Sequence, residues 1–133
     1  MHMKNSYALI TGASSGIGLE IAKNLARRGY NLILTARRTE LLQSLANEIT
    51  NENGVHVDLI SMDLSKYEAP QKIFEFCESK NYQIDILVNN AGYGIKTSFH
   101  ETSIEAEEDF IRVLGTSVIM LTKLFIPKML SNG

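Results

Sequence analysis

Short apolar runs alternate with helical patterns along the whole chain. Four runs predict buried strands, at about residues 7–11, 31–36, 56–62 and 85–89. The segments between them carry apolar residues three and four positions apart, which is the spacing of one face of a helix. Strands that alternate with helices in this way build βαβ units, and these units form a parallel sheet with helices on both faces.

Local signals predict where the second and third helices begin and end. The second helix is expected to begin near Thr39 and to close at Asn53-Gly54. Ser65 and Glu68 have the spacing of a capping box, which predicts a third helix from Ser65 to about Lys80. The apolar positions on these helices are interpreted as core packing rather than as ligand contacts.

A long last helix is predicted from about Ser103 to Leu130, with Thr102 and Glu105 as its capping box. Pro127 lacks a backbone donor and is expected to kink or end the last turn. The apolar residues of this helix cover more than the one stripe that a single core needs. This surplus predicts a second packing partner for the helix.

Length and charge narrow the class of protein. The chain has 133 residues, which is the size of one domain over residues 1–133. Thirteen basic and fifteen acidic residues give a net charge of −2, and no basic cluster stands out. We therefore expect neither a nucleic acid partner nor an anionic membrane surface. No apolar run reaches the roughly 18 residues of a membrane span, and no secretory signal is visible, which predicts a cytoplasmic protein.

Cysteine and histidine usage argues against a metal site. Cys77 is the single cysteine, which excludes a disulfide within the chain and a cysteine-based metal cluster. It lies on a predicted helix, where its side chain is expected to be buried as a small apolar group. His56 and His100 lie far apart with no second ligand at metal spacing, so both are interpreted as surface or structural residues.

Candidate chemistry begins between the first strand and the first helix, in the segment Thr11-Gly12-Ala13-Ser14-Ser15-Gly16-Ile17-Gly18. Gly12 suits a tight turn, Gly16 leaves room for a ligand at the backbone, and Gly18 lets the helix lie close to the strand. The free N–H groups and the positive dipole end of that helix favour a pyrophosphate.

Three further groups follow the ends of later strands. Arg37 lies nineteen residues after Gly18, where a dinucleotide site meets the adenosine ribose, and arginine there suits a 2′-phosphate. The alternative is that Arg37 and Arg38 are a solvated pair of arginines ahead of a helix. Asp63 follows the third strand and is placed to accept from an adenine amino group, although a turn residue before a helix would look the same. After the fourth strand, the amides of Asn89-Asn90 can tie strand ends together, and Ala91-Gly92 leave room for a ribose.

Together these segments resemble the short-chain dehydrogenase/reductase family, whose members use NAD(P)(H) to interconvert alcohols and carbonyls on a Rossmann fold. The resemblance spans essentially all 133 residues. It implies an α/β Rossmann-type, doubly wound parallel sheet with strand order 3-2-1-4, truncated after the helix that follows the fourth strand. It also implies NADP rather than NAD as cofactor. The cofactor-binding residues that it implies are Gly12, Ser14, Ser15, Gly16, Ile17 and Gly18 for the pyrophosphate side, Arg37 and Arg38 for the 2′-phosphate, Asp63 and Leu64 for the adenine, and Asn90, Ala91 and Gly92 for the ribose.

Two departures from the family bear on catalysis. The family carries an asparagine about twenty-two residues after this Asn-Asn-Ala-Gly segment, and Leu114 stands there in this sequence. The family's catalytic serine and Tyr-x-x-x-Lys motif belong to the next strand and helix, and none of the five tyrosines here has lysine four places on. No catalytic residue is therefore assigned, because no lysine-assisted tyrosine is present to move the substrate's proton.

Two functions remain open at this point. The first is an NADP(H)-dependent oxidoreductase of this family, present as a truncated chain that is inactive alone. The second is a non-catalytic module that binds nucleotide or serves as an oligomeric scaffold, with the last helix as its working surface. In both cases a homodimer or tetramer is expected, since the fourth strand has a bare edge and the last helix has an apolar surplus.

Overall fold

One parallel sheet organises the molecule. The computed structural model describes residues 5–14 and 16–133. The strands of the sheet are β1 (Ser6–Thr11), β2 (Asn31–Ala36), β3 (Val57–Ser61) and β4 (Gln83–Val88). Their order is β3-β2-β1-β4, with Ile10 of β1 opposite Leu34 of β2 and Val88 of β4. The predicted Rossmann-type sheet and its strand order are confirmed.

Helices connect the strands and cover both faces of the sheet. They are α1 (Gly16–Arg27), α2 (Glu40–Asn53), α3 (Ala69–Ser79), α4 (Ile104–Ile111) and α5 (Ser117–Ser131). A π-helical turn over Arg112–Thr116 joins α4 to α5, and a short 3-10 turn over Phe99–Glu101 precedes α4. As predicted, α2 ends at Gly54, which adopts φ +67.

Alternation along β1 divides the core into two layers. Ala8 and Ile10 face α1 and α2, whereas Tyr7 and Leu9 face α3 and α5. The whole of β1 is buried, as expected for the central strand of a parallel sheet covered on both faces. Cys77 is buried in the second layer among apolar side chains, in agreement with the sequence interpretation.

The third helix begins later than the capping box predicted. The N–H of Ser65 donates to Asp63 Oδ1 at 2.9 Å, and the N–H of Lys66 donates to the Asp63 carbonyl at 3.0 Å. Residues 63–66 therefore form a turn, and α3 starts at Ala69 with Pro70 in its first turn. Proline lacks a backbone N–H and suits the first turn of a helix, where that N–H would have no intrahelical acceptor, which fits a start at Ala69.

The last helix is also not the single regular element that was predicted. Ser103, not Thr102, caps α4, since its side chain accepts from the N–H of Ala106 at 3.0 Å. The π-helical turn interrupts the helix before α5. Pro127 does not end α5, which continues to Ser131 and is joined to α3 by an ion pair of 2.7 Å between Lys128 and Glu78.

The helical segment Ile104–Ser131 is long and apolar by composition. One 18-residue window has a mean hydropathy of 1.6, and 22% of that window is buried. By length and composition alone, this helix is long and apolar enough to cross a membrane, although its apolar residues do not form an uninterrupted run. In this fold the segment packs on α3 and β4 through Val113, Leu121 and Phe125, and the absence of a membrane partner stays a prediction.

Polar aromatic contacts join strands at the edge of the sheet opposite the glycine turn. Tyr7 Oη lies 2.8 Å from His56 Nδ1, and Tyr82 Oη donates to Asp58 Oδ2 at 2.8 Å. The rings of Tyr7 and Tyr82 stack with centroids 4.0 Å apart. Burial raises the pKa of Tyr7, so its hydroxyl stays protonated at neutral pH. His56 is thus a structural residue, as the sequence suggested.

We expect the packing of α5 on the sheet to contribute strongly to stability. Leu121 of α5 is fully buried against α3 and β4, so Leu121→Ala should lower the free energy of unfolding by about 2–5 kcal/mol. Leu41→Ala, at a half-exposed leucine of α2, should cost much less. Urea unfolding followed by circular dichroism measures both, and equal losses would contradict the role assigned to α5.

Candidate functional site

A buried threonine hydroxyl joins the ends of the neighbouring strands β1 and β4. Thr11 Oγ1 accepts from the N–H groups of Asn90 and Ala91, each at 3.0 Å, and donates to the Val88 carbonyl at 3.4 Å. Asn90 Nδ2 donates to the Gly12 carbonyl at 3.0 Å. These bonds hold the segment after β4 against the turn after β1. The Asn90 amide ties strand ends as predicted, but the Asn89 amide does not, since its Nδ2 donates to Thr122 Oγ1 of α5 at 3.3 Å.

The three glycines of the turn have different surroundings. A Cβ on Gly12, where φ is +63, would lie 2.8 Å from Ala91 Cα. A Cβ on Gly18 would lie 2.4 Å from Asn90 Nδ2 and 2.7 Å from the Gly12 carbonyl oxygen. Gly16, where φ is +64, has nothing within 4 Å of that position. Two glycines therefore permit close packing of the protein on itself, and the third leaves open space at the start of α1.

A cavity of about 650 Å³ lies at the carboxyl edge of the sheet. Its volume is in the range of small-molecule sites, which is roughly 300–1,000 Å³. Nine of the residues predicted to bind cofactor line it: Gly12, Ser14, Ile17, Arg37, Asp63, Leu64, Asn90, Ala91 and Gly92. The structure thus brings together segments that follow β1, β2, β3 and β4.

The other four predicted residues are placed differently. Gly16 and Gly18 form the first turn of α1 beside the cavity without being among its lining residues. Arg38 is exposed and does not line the cavity. Ser15 lies outside the described residues.

Two cations and two carboxylates line the cavity among the described residues: Arg37, Lys66, Asp63 and Asp109. Burial of Asp63 opposes its ionisation, but hydrogen bonds from Ser65 and the charges of Lys66 and Arg37 outweigh that effect. The net result is a lowered pKa for Asp63. The carboxylate is therefore ionised at neutral pH and is held by a donor within its own turn.

Sequence reasoning missed several residues of this cavity. Lys66, Tyr93, Asp109 and Val113 line it, and Thr11 supports it from below. The signal for Thr11 was its place between a buried strand and a glycine. The misplaced start of α3 concealed Lys66, because a residue in a helical first turn would be expected to face solvent.

Tyr93 lines the cavity and packs against Phe110 of α4. Their rings make an edge contact with centroids 5.5 Å apart. Burial raises the pKa of Tyr93, and the negative charge of Asp109 acts in the same direction. The phenol therefore remains a neutral hydrogen-bond donor at neutral pH.

Leu114 lies in the π-helical turn, at the position where the resembling family carries asparagine. Its Cδ2 would lie 2.7 Å from a Cβ on Gly92, so the leucine fills space above that glycine. The helix is interrupted here even without an asparagine side chain. The hydroxyl of the buried Ser117 donates to the Val113 carbonyl at 2.8 Å within this irregular segment.

The residues fit a dinucleotide at its adenosine and pyrophosphate end. The open side of Gly16 and the N-terminus of α1 suit a pyrophosphate, because helix N–H groups there are free to bind an anion. Arg37, Asp63 and the Asn90-Ala91-Gly92 segment surround the rest of the cavity. Among the described residues, no group of three or more His, Cys, Asp or Glu side chains is arranged to hold a metal ion.

Comparison with known proteins agrees with this geometry. The family model of the short chain dehydrogenases matches residues 6–133. L-sorbose reductase from Gluconobacter frateurii, solved with NADPH and L-sorbose, superimposes with a TM-score of 0.89 at 32% identity; the match covers 100% of this chain and 51% of the reductase. An alcohol dehydrogenase from Thermococcus sibiricus, solved with 5-hydroxy-NADP, gives 0.84 at 36% identity over 93% of this chain and 53% of that chain.

Curated relatives are longer than this chain. The very-long-chain 3-oxoacyl-CoA reductase of Kluyveromyces lactis is 34% identical over 95% of this chain, which covers 37% of the reductase. An uncharacterised oxidoreductase of Staphylococcus saprophyticus is 33% identical over 100% of this chain, which covers 57% of its length. This chain therefore spans between about a third and somewhat more than half of the length of these relatives.

The close contact at Gly18 leads to a test of the turn. Gly18→Ala should force Asn90 away from the Gly12 carbonyl and lower the free energy of unfolding by about 1–3 kcal/mol. Gly94→Ala is the matched control, since a Cβ there meets nothing within 4 Å. Chemical denaturation compares the two, and a Gly18→Ala protein as stable as Gly94→Ala would disprove the close packing.

Proposed function

Because the chain belongs to the short-chain dehydrogenase family, we propose that it is the cofactor-binding half of an NADP(H)-dependent oxidoreductase acting on alcohol or carbonyl groups. The observation that carries this proposal is the cavity itself. There the glycine turn, Arg37, Asp63 and the Asn90-Ala91-Gly92 segment meet at the carboxyl ends of the strands. Ligands of open parallel sheets bind at this edge, beside the strand where the order reverses.

Each part of the cavity is assigned one part of the cofactor. The first turn of α1 would bind the pyrophosphate, with Ser14 and Ile17 beside it. Ionised Asp63 would accept from the adenine amino group, and Leu64 would contact the ring. Arg37 would bind the ribose 2′-phosphate, because its fixed fork of donors matches phosphate geometry. NADP-bound relatives support this choice over NAD.

When bound, the nicotinamide cofactor supplies a hydride donor or acceptor for a carbonyl or alcohol carbon. The residues of this chain would bind and orient its adenosine end. No tyrosine in the sequence has lysine four places on, and Leu114 offers no polar group to a proton relay. We therefore assign cofactor binding, and no turnover, to the 133-residue chain by itself.

A homo-oligomer is the second part of the proposal, and the last helix carries it. Ile104, Ile111, Ile119 and Ile126 are all exposed and are called here the isoleucine stripe. Successive members lie seven, eight and seven residues apart, and the step of eight spans the π-helical turn. The wider π turn absorbs the extra residue, so the four side chains stay on one face.

The isoleucine stripe is symmetric about a glycine. Gly115 lies four residues from Ile111 and Ile119, and eleven residues from Ile104 and Ile126. An antiparallel second copy crossing at Gly115 would pack unlike isoleucines against each other. The same crossing places Glu108 near Lys123 of the other copy. A two-fold axis between the copies would form the isoleucine contact and the Glu108–Lys123 contact twice each. We therefore propose that a second copy of this chain occupies this face.

This scaffold role is also the alternative function. A chain that dimerises but binds no nucleotide would be an assembly module. The cytoplasmic location expected from the sequence stays a prediction.

Isothermal titration calorimetry tests cofactor binding. We expect NADP and adenosine 2′,5′-bisphosphate to bind with similar affinity, because the residues assigned here contact only the adenosine and pyrophosphate end. Arg37→Met should weaken binding of both by about tenfold, through loss of a charged phosphate contact. Arg28→Met, at an exposed arginine after the end of α1, is the charge control.

Two outcomes would contradict this assignment. Binding of NADP about tenfold tighter than the bisphosphate, or about 1.4 kcal/mol, would reveal a nicotinamide subsite within this chain. Steady oxidation of NADPH with a panel of carbonyl compounds, if lost in Gly16→Glu, would show that the chain is catalytic alone. Absence of any nucleotide binding would leave the scaffold role.

Sedimentation equilibrium tests the dimer. Gly115→Leu should leave the fold intact, since a Cβ there meets nothing within 4 Å, but should separate two copies that cross at this residue. Glu108→Lys should weaken the dimer, and adding Lys123→Glu should restore it; Glu105→Lys is the control away from the isoleucine stripe. A wild-type monomer, or a dimer insensitive to Gly115→Leu, would overturn the proposed interface.

A further inference from the structure

The turn after β3 fixes a lysine at the rim of the cavity. Lys66 donates its N–H to the Asp63 carbonyl at 3.0 Å, and its own carbonyl accepts from Ala69 at 3.1 Å. Its backbone is therefore bonded on both sides before α3 begins. Residues 63–66 form this turn and not the first turn of a helix, and Lys66 lines the cavity.

The backbone of Arg37, which lines the same cavity, is fixed by contacts between the ends of β2 and β3. Ser61 Oγ donates to the Arg37 carbonyl at 2.9 Å, and the N–H of Met62 donates to the Ala36 carbonyl at 3.0 Å. Arg37 and Lys66 both act on the Asp63 carboxylate, which shows that the two cations share one neighbourhood. Arg38, the next residue along the chain, is outside the set that lines the cavity.

We propose that Lys66 is the second cation of the 2′-phosphate site, acting beside Arg37 in the place that the sequence assigned to Arg38. The inference rests on the proposed function and names a residue that determines its cofactor specificity. A phosphate monoester carries about −1.5 to −2 charge at neutral pH, so one arginine leaves part of that charge without a partner. Lys66, which lines the same cavity, supplies the remaining charge.

Asp63 prepares these two cations for the ligand. The charges of Lys66 and Arg37 both act on its carboxylate and help to lower its pKa, so the ionised carboxylate attracts both cations. A phosphate dianion carries more charge than one carboxylate and competes with Asp63 for them. The carboxylate is then left with its bond from the Ser65 N–H and is available to the adenine amino group.

Calorimetry with three nucleotides separates this site from general attraction of anions. The probes are adenosine 2′,5′-bisphosphate, adenosine 3′,5′-bisphosphate and adenosine 5′-monophosphate. Lys66→Met should reduce the preference for the 2′,5′-bisphosphate over the monophosphate by about tenfold, the scale of one charged hydrogen bond. Arg38→Met should reduce it less. Lys72→Met, an exposed lysine of α3 outside the cavity lining, is the control for loss of one positive charge.

The outcomes are distinguishable. A preference that falls in Arg38→Met and persists in Lys66→Met would overturn the inference while leaving nucleotide binding intact. An equal fall in Lys72→Met, or equal loss for the 3′,5′-bisphosphate, would also overturn it, because the effect would be that of net charge. Failure of all three nucleotides to bind the wild-type chain would instead refute the proposed function.

Discussion

The close approach of the β1 and β4 ends is the constraint on which the site depends. One hydroxyl, that of Thr11, satisfies two backbone donors after β4, and it is almost fully buried. Buried N–H groups left without a partner are costly, so this residue fixes the path of the chain after β4. The same approach leaves no room for a Cβ on Gly12 or Gly18. Gly12 and Gly18 are thus required by the protein's own packing, whereas Gly16 leaves open space for a ligand at the start of α1.

The sheet explains why residues distant in sequence meet at this edge. All four strands are parallel, so their carboxyl ends lie together, and the segments that follow them converge. The cavity is lined from four connections, none of which forms a site by itself. Its electrostatics come from the same convergence, since Arg37 follows β2 whereas Asp63 and Lys66 follow β3. An ionised carboxylate between two cations keeps charged side chains at the rim without burying any of them alone.

The fold was predictable from sequence because its strands are apolar throughout and its helices are amphipathic. Nine of thirteen predicted site residues line the cavity because they lie in the connections that leave the carboxyl ends of the strands, where topology fixes their position. The errors have a common physical origin in helix ends. Ser65 and Glu68 have the spacing of a capping box, but α3 begins only at Ala69, with Pro70 in its first turn. The Ser65 N–H donates instead to the Asp63 carboxylate. Lys66 was lost with that error, and Arg38 was accepted on resemblance although neighbouring residues at a strand end point in different directions.

The π-helical turn links the cavity to the outer face of the last helix. Val113 faces the cavity, Leu114 lies over Gly92, and Gly115 is open on the other side. A regular helix would rotate α5 relative to α4, and the isoleucines before and after the turn would then lie on different faces. One inserted residue therefore serves two requirements at once. It keeps Leu121 and Phe125 buried against the sheet, and it leaves a continuous apolar surface outside, so that the segment which borders the nucleotide cavity also presents the face proposed for a second copy.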